Sequence, residues 1–193
     1  MFRQRYPRIA LDESRMLVNS AGFTTAGAAR AHRAGAASRL HSFAASHLDA
    51  PTGGLAVNEH TIQLVRDSFD LVEPIAPQAA ALFYAHLFAD DPSVKPLFRG
   101  DMVRQGEHLM AMIALAVSKL DDPELLIPAL QGLGQRHAGY GVHDAHYDSV
   151  GAALLKTLRQ GLGVAFTEDV EAAWVEVYGV VASTMKEAAK VPA

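Results

Sequence analysis

The sequence predicts an all-α domain preceded by a low-order N-terminal stretch. Three observations carry this reading. Half of the 193 residues are hydrophobic, enough for a sizeable core. β-Branched residues rarely alternate with polar ones, so strand patterns are poor. From Asn58 onward, apolar residues recur at steps of three and four, and prolines, glycines and helix-capping side chains fall between the runs.

Composition excludes several kinds of chemistry. There are no cysteines. Disulfides, zinc–thiolate sites, iron–sulfur clusters and thiol nucleophiles are therefore ruled out. The net charge of −4 argues against a nucleic-acid partner. No apolar run approaches the roughly 20 residues of a membrane span, so no membrane association is expected, and the expected location is cytoplasmic. The charge is uneven. Residues 1–56 hold seven arginines, no lysine and three acids, a net +4; the remainder holds ten basic and eighteen acidic residues, a net −8.

The first 56 residues do not read as core. Residues 24–46 are rich in Ala, Ser, Gly and Arg, and Pro51-Thr-Gly-Gly54 is a linker signal. An Arg-rich, acid-poor start resembles a transit peptide but lacks the apolar segment of a secretory signal. The preferred expectation is a disordered extension, or an over-long translated start with Met16 or a later codon as the beginning. The expected division is thus an extension over 1–56 and a folded domain over 57–193.

The helices can be taken in order. Asn58 is a plausible cap for a helix whose inner face is Ile62, Val65, Phe69 and Val72. Pro74 and Pro77 break the chain. A second helix carries Leu82, Phe83, Tyr84, Leu87 and Phe88, and Asp90-Asp-Pro92 stops it. Ser93 to Phe98 leaves little room for regular structure. A third helix, about 101–120, aligns Gln105, Leu109, Met112, Ile113 and Ala116. One polar residue at the head of an apolar face is either a boundary residue or a donor aimed into a pocket. Asp121-Asp-Pro123 closes this segment. A fifth helix, about 144–162, presents Tyr147, Val150, Leu154 and Leu158 and ends at Gly161 and Gly163. Thr167 caps the last helix, with Glu168 and Asp169 near its positive end, and Val170, Trp174, Val177, Val181 and Met185 form its inner face. The tail from Lys190 is expected to fray.

The fourth helix organises the rest. Leu130, Leu133 and His137 share one face. Gly139 and Gly141 end the helix, and Asp144 can cap the next one. A lone histidine at the end of an apolar face can be a satisfied core residue. It can also reach into a greasy cavity with no charged neighbour, which is what an iron porphyrin needs from its protein-side ligand. The glycine pairs Gly132/Gly134 and Gly139/Gly141 follow no strand and lack a third glycine, so no dinucleotide fingerprint is present.

Several motifs taken together carry a resemblance: Phe83-Tyr-Ala-His-Leu-Phe88, Asp91-Pro-Ser-Val-Lys-Pro-Leu-Phe98, Arg136-His137, Ala145-His-Tyr-Asp-Ser-Val-Gly151 and Ala173-Trp-Val-Glu-Val-Tyr-Gly179. Over about 58–189 the chain resembles the globin family, and within it bacterial single-domain haemoglobins and the haem domain of flavohaemoglobins. The resemblance implies a globin fold around haem b, iron protoporphyrin IX. It implies His137 as the proximal iron ligand, Phe98 as the aromatic wedge on the porphyrin, and Leu109 as the apolar residue over the iron. Leu133, Val142, Tyr147 and Val150 are implied as haem-wall residues, and Tyr84 and Gln105 as distal donors to bound O₂. His108 is expected to be solvated or near a propionate.

One departure stands out. Flavohaemoglobins carry a late glutamate on the last helix that hydrogen-bonds the proximal histidine; here Ala189 occupies that place and Glu187 lies two residues early. His137 is then expected to donate its second N–H to a backbone carbonyl. The globin pattern ends close to the end of the sequence, so no flavin or nicotinamide domain is expected.

Three functions fit the resemblance. One is reversible binding of O₂, NO and CO by a carrier, store or scavenger. Another is nitric oxide dioxygenation with a flavin or ferredoxin-type reductase as partner. The third is a haem-based sensor or a haem-free interaction module. A monomer or a homodimer is expected.

Overall fold

A computed structural model describes residues 57–190, and among the described residues it contains six α-helices, three short 3₁₀ segments and no strand. The expected extension over 1–56 lies outside the described residues. None of the described helices is long and apolar enough to cross a membrane.

Helix α1 spans Glu59–Val72, and the Asn58 side chain accepts from the Thr61 backbone N–H at 2.9 Å. Its predicted face is buried: Ile62, Val65, Phe69 and Val72. Pro74 falls in a 3₁₀ turn, Glu73–Ile75, and Pro77 in the first turn of α2, Ala76–Asp90. Proline is tolerated at that position because a first-turn N–H has no helical acceptor.

The stretch after Asp91 is more regular than its sequence suggests. Pro92–Leu97 is a 3₁₀ helix. The Asp91 carboxylate starts it by accepting from the Ser93 backbone N–H at 3.1 Å, and it also accepts from the Ser149 hydroxyl at 2.7 Å. The Ser93 hydroxyl donates to it as well and contributes most, ahead of Ser149, to holding the Asp91 carboxyl below the usual carboxylate range.

Helix α3 is Met102–Ser118, capped by Asp101. Helix α4 is Pro123–Gly139, capped by Asp122. Helix α4 ends where Gly141 adopts φ 81°, a conformation glycine enters without steric cost. Helix α5 spans Asp144–Leu162. Its expected cap was one residue off. His143 is the extended cap residue and Asp144 already lies in the first turn, while His146 Nδ1 accepts from the His143 backbone N–H at 3.1 Å. An acid inside the first turn still suits the positive helix end. Helix α6, Glu168–Ala189, is capped by Thr167 as expected.

The main packings are α4 on α6, α2 on α5, α1 on α6 and α3 across α2. Three glycines make close crossings possible. A Cβ on Gly106 would meet the Ala80 Cβ at 2.9 Å, one on Gly134 the Met185 carbonyl oxygen at 2.3 Å, and one on Gly151 the Tyr178 ring at 2.6 Å. A hydrogen-bond chain runs through the core between α6 and α1. The Trp174 indole donates to the Ser68 hydroxyl at 2.9 Å, which in turn donates to the Leu64 carbonyl at 2.7 Å.

Candidate functional site

The expected site residues fall into two groups joined by α5. The first lies between α2 and α3. The Ala80–Gly106 contact brings these helices together, and Tyr84 follows Ala80 by one turn. Tyr84 is buried, and its hydroxyl donates to the Gln105 backbone carbonyl at 3.4 Å, long for an O–H···O bond. Burial pushes the Tyr84 phenol above its ordinary pKa, with hydrogen bonding at Gln105 opposing the shift. The hydroxyl therefore remains a donor well above neutral pH.

Phe98 packs edge-on against Tyr84 at 5.3 Å and against Phe88 at 5.4 Å. Leu109 and Val150 join the same apolar cluster. Gln105 is half-buried, and His108 is exposed. Met112, expected on the inner face of α3, lies at its edge and is 37% exposed.

The second group surrounds His137 at the end of α4. Its Nδ1 lies 3.0 Å from the Leu133 carbonyl oxygen. A carbonyl only accepts, so Nδ1 carries the proton and Nε2 keeps its lone pair. The sequence led to the expectation of a backbone carbonyl at this place without saying which; it is that of Leu133. Burial lowers the His137 pKa most, and the nearby Arg136 charge adds to it, against the Leu133 bond that raises it. The neutral imidazole, the form that ligates metal, is thereby favoured.

The turn after His137 is drawn back onto it. The Val142 N–H donates to the His137 carbonyl at 3.1 Å, and Val142 packs on the main apolar core. Tyr147 is buried, with its ring 6.4 Å from the imidazole and tilted 31°. The Lys186 ammonium lies 5.5 Å over the Tyr147 ring and 3.4 Å from Asp148. Among the described residues, the Tyr147 hydroxyl is the buried side-chain polar atom without a hydrogen-bond partner. Tyr147 and Val150 lie about one turn apart on α5, so this helix faces His137 with one and the Tyr84 cluster with the other.

The last-helix carboxylate is absent from this geometry. Glu187 is exposed and pairs with Lys190 at 2.6 Å, and Ala189 has no carboxylate. Among the described residues, no group of three or more His, Asp or Glu side chains could hold a metal ion by itself. A metal here would need to arrive in a carrier that supplies most of its ligands. The donor set fits that demand for iron porphyrin: one neutral imidazole with a free Nε2, apolar walls and a separate hydroxyl donor.

Sequence reasoning missed the roles of Gly134, Gly151, Tyr178 and Lys186. A signal existed for the first two. Glycine inside a helix costs about 1 kcal/mol relative to alanine, so its presence marks a close approach. Nothing in the sequence named the partners, since Met185 and Tyr178 lie on another helix.

Among the described residues, the fold is all-α and carries a half-buried neutral imidazole and a buried tyrosine cluster, with α5 reaching both. A family model described as Globin matches residues 81–185, more than half of the chain. The chain belongs to the globin family and is a haem-binding globin. A flavohemoprotein of Xylella fastidiosa is 33% identical over 131 residues, which cover 66% of this chain and 33% of that protein. A flavohemoprotein of Chromobacterium violaceum is 31% identical over 132 residues, 67% of this chain and 33% of that protein. The chain thus spans about a third of the length of these curated relatives. Among solved structures, a bacterial globin from Campylobacter jejuni is 26% identical with a TM-score of 0.60, covering 69% of this chain and 96% of that one. A hexacoordinated haem protein from a tardigrade shares the fold at 17% identity and a TM-score of 0.65, with 71% and 97% covered.

Proposed function

We propose that this globin binds haem b through His137 and holds O₂ reversibly, with NO and CO as further gas ligands, as a carrier, store or scavenger. The observation that carries the reading is the His137 Nδ1–Leu133 carbonyl bond, which fixes the tautomer and leaves Nε2 free. When bound, haem supplies an iron atom at which a small diatomic gas is held. The chain's own residues do the rest. Leu133, Val142, Tyr147 and Val150 form apolar walls that exclude water. Phe98 braces the Tyr84 side, and Leu109 sets the apolar surface nearest the gas. Tyr84 would donate a hydrogen bond to a polarised gas ligand from its buried, low-dielectric position, where such a bond is strong. The Gln105 amide is a second donor from the pocket mouth.

The proximal chemistry favours reversible binding over bond cleavage. A backbone carbonyl is a weaker acceptor than a carboxylate, so the His137 imidazole gains little anionic character from it. Glu187 is engaged with Lys190 and does not supply that acceptor.

A second reading is favoured by the flavohemoprotein relatives: nitric oxide dioxygenation, in which NO, O₂ and one electron give nitrate. The electron would come from a flavin or ferredoxin-type reductase acting as partner. Stopped-flow mixing of the oxygenated protein with NO, with and without a reductase fraction from the source cells, separates the readings. A carrier converts one equivalent and stops in both mixtures. Sustained NO consumption with the reductase fraction would establish the dioxygenase instead.

A further inference from the structure

Gly151 and Tyr178, two motif residues with no part in the pocket just described, meet in the fold. Gly151 on α5 and Tyr178 on α6 touch directly, because a Cβ on Gly151 would lie 2.6 Å from Tyr178 Cε1. The Tyr178 hydroxyl donates to the Tyr147 backbone carbonyl at 2.5 Å. The residue as a whole is half-buried, but its hydroxyl is enclosed, and burial pushes the phenol well above its ordinary pKa. Seven residues further along α6, two turns on and on the same face, the Met185 backbone fills the space where a Gly134 Cβ would stand. One face of α6 therefore seats α5 at Gly151 and α4 at Gly134. His137 follows Gly134 by one turn, and Tyr147 precedes Gly151 by one turn.

We propose that Tyr178 is a positioning residue for the proximal side: its ring on Gly151 and its hydroxyl on the Tyr147 carbonyl set the height of the Tyr147 ring beside His137. Besides the exposed Tyr140 ring, whose centroid lies 6.5 Å away, the imidazole is held at two places. Nδ1 is tied to the Leu133 carbonyl, and one flank of the ring meets Tyr147 at 6.4 Å between centroids. The first tie fixes the ring's edge and the second limits its rotation about the Cβ–Cγ bond. Removing the Tyr178 hydroxyl leaves the start of α5 tied to the rest of the fold through Ser149 on Asp91, Asp148 on Lys186 and the Lys186 ammonium over the Tyr147 ring, none of which holds the Tyr147 backbone. Tyr147 then shifts against His137, and the direction of Nε2 changes. The consequence for iron rests on the proposed role of His137; the consequence for the imidazole does not.

The test uses the full chain and Tyr178→Phe, which keeps the ring on Gly151 and removes only the donor. In the haem-free protein, aromatic ¹H–¹³C NMR reads the His137 ring through the ring current of Tyr147. The His137 cross-peaks should move by more than a linewidth while those of Phe98 stay in place. In the haem-loaded ferrous protein without gas, the iron–histidine stretching band in resonance Raman should shift or broaden. A loss of thermal stability with unmoved His137 peaks and an unchanged band would make Tyr178 a structural residue only and overturn the proposal. Tyr147→Phe keeps both the carbonyl and the ring, so its His137 peaks should stay near wild type. Movement as large as in Tyr178→Phe would trace the effect to the phenol hydroxyl and also overturn it. If Tyr178→Phe fails to fold, 3-fluorotyrosine at position 178 keeps ring and hydroxyl while strengthening the donor. The same His137 peaks should then move, and their constancy would refute the positioning role. A chain that takes up no haem would sink the proposed function and leave the haem-free measurement decisive.

Discussion

The replacement of Tyr84 by phenylalanine separates a gas-binding pocket from a mere globin fold. The ring stays between Phe83, Phe88 and Phe98, so packing is nearly conserved. The hydroxyl's present bond to the Gln105 carbonyl is 3.4 Å long, beyond the 2.5–3.0 Å of a good O–H···O bond. Giving up that bond for a gas ligand costs little, so nearly the whole of the new hydrogen bond appears as affinity. A hydrogen bond to a partly charged acceptor is worth about 1.5–3 kcal/mol. At about 1.4 kcal/mol per factor of ten, Tyr84→Phe should speed O₂ release roughly ten- to hundredfold. CO release should change far less, since bound CO carries little charge. Stopped-flow or laser-flash release rates for both gases on both proteins decide it. Unchanged O₂ release would refute the donor role. Equal acceleration of O₂ and CO release would make Tyr84 a steric gate.

Two further outcomes follow from the proximal side. Burial depresses the His137 pKa below its ordinary value near 6.5, so the folded form resists protonation more than the unfolded one. The stability from keeping the imidazole neutral is full above about pH 6.5 and is lost as pH falls toward the depressed pKa. The urea midpoint of the haem-free protein should therefore fall as pH is lowered below about 6.5 and be flat between about pH 7 and 9; a fall confined to alkaline pH would contradict the assignment. Gly134→Val should destabilise the domain, because its Cβ would lie 2.3 Å from the Met185 carbonyl oxygen. Overpacking of this kind costs about 1–3 kcal/mol, readable as a lowered urea midpoint, and an unchanged midpoint would mean that α4 and α6 can part without cost.

Much of the fold was legible because its signals are local. Asn58 and Thr167 cap helices by side-chain bonds within three residues, and Gly141 turns where a positive φ is needed. The inner faces of α1 and α6 follow from periodicity alone. What failed also has a local explanation. At α5 two adjacent residues could both cap, and backbone geometry chose His143 over Asp144. Between Asp91 and Phe98 two prolines suggested irregular chain, but proline's fixed φ suits a 3₁₀ turn once Asp91 caps it. For the candidate site, His137 and its Leu133 acceptor lie four residues apart and could be foreseen. The Tyr178–Tyr147 and Met185–Gly134 contacts span 31 and 51 residues between helices, and no single-sequence pattern encodes such pairings.

The most direct test of the account is a haemin titration of wild type and His137→Ala, followed in the Soret region. Wild type should take up one haem per chain with the spectrum of a single-histidine ligand. In the variant, stoichiometric retention should be lost, because the fold leaves the His137 Nε2 lone pair free beside Tyr147. Added imidazole should restore part of the spectrum by replacing the missing ligand. Unchanged haem affinity together with an unchanged Soret spectrum in His137→Ala would contradict the central claim.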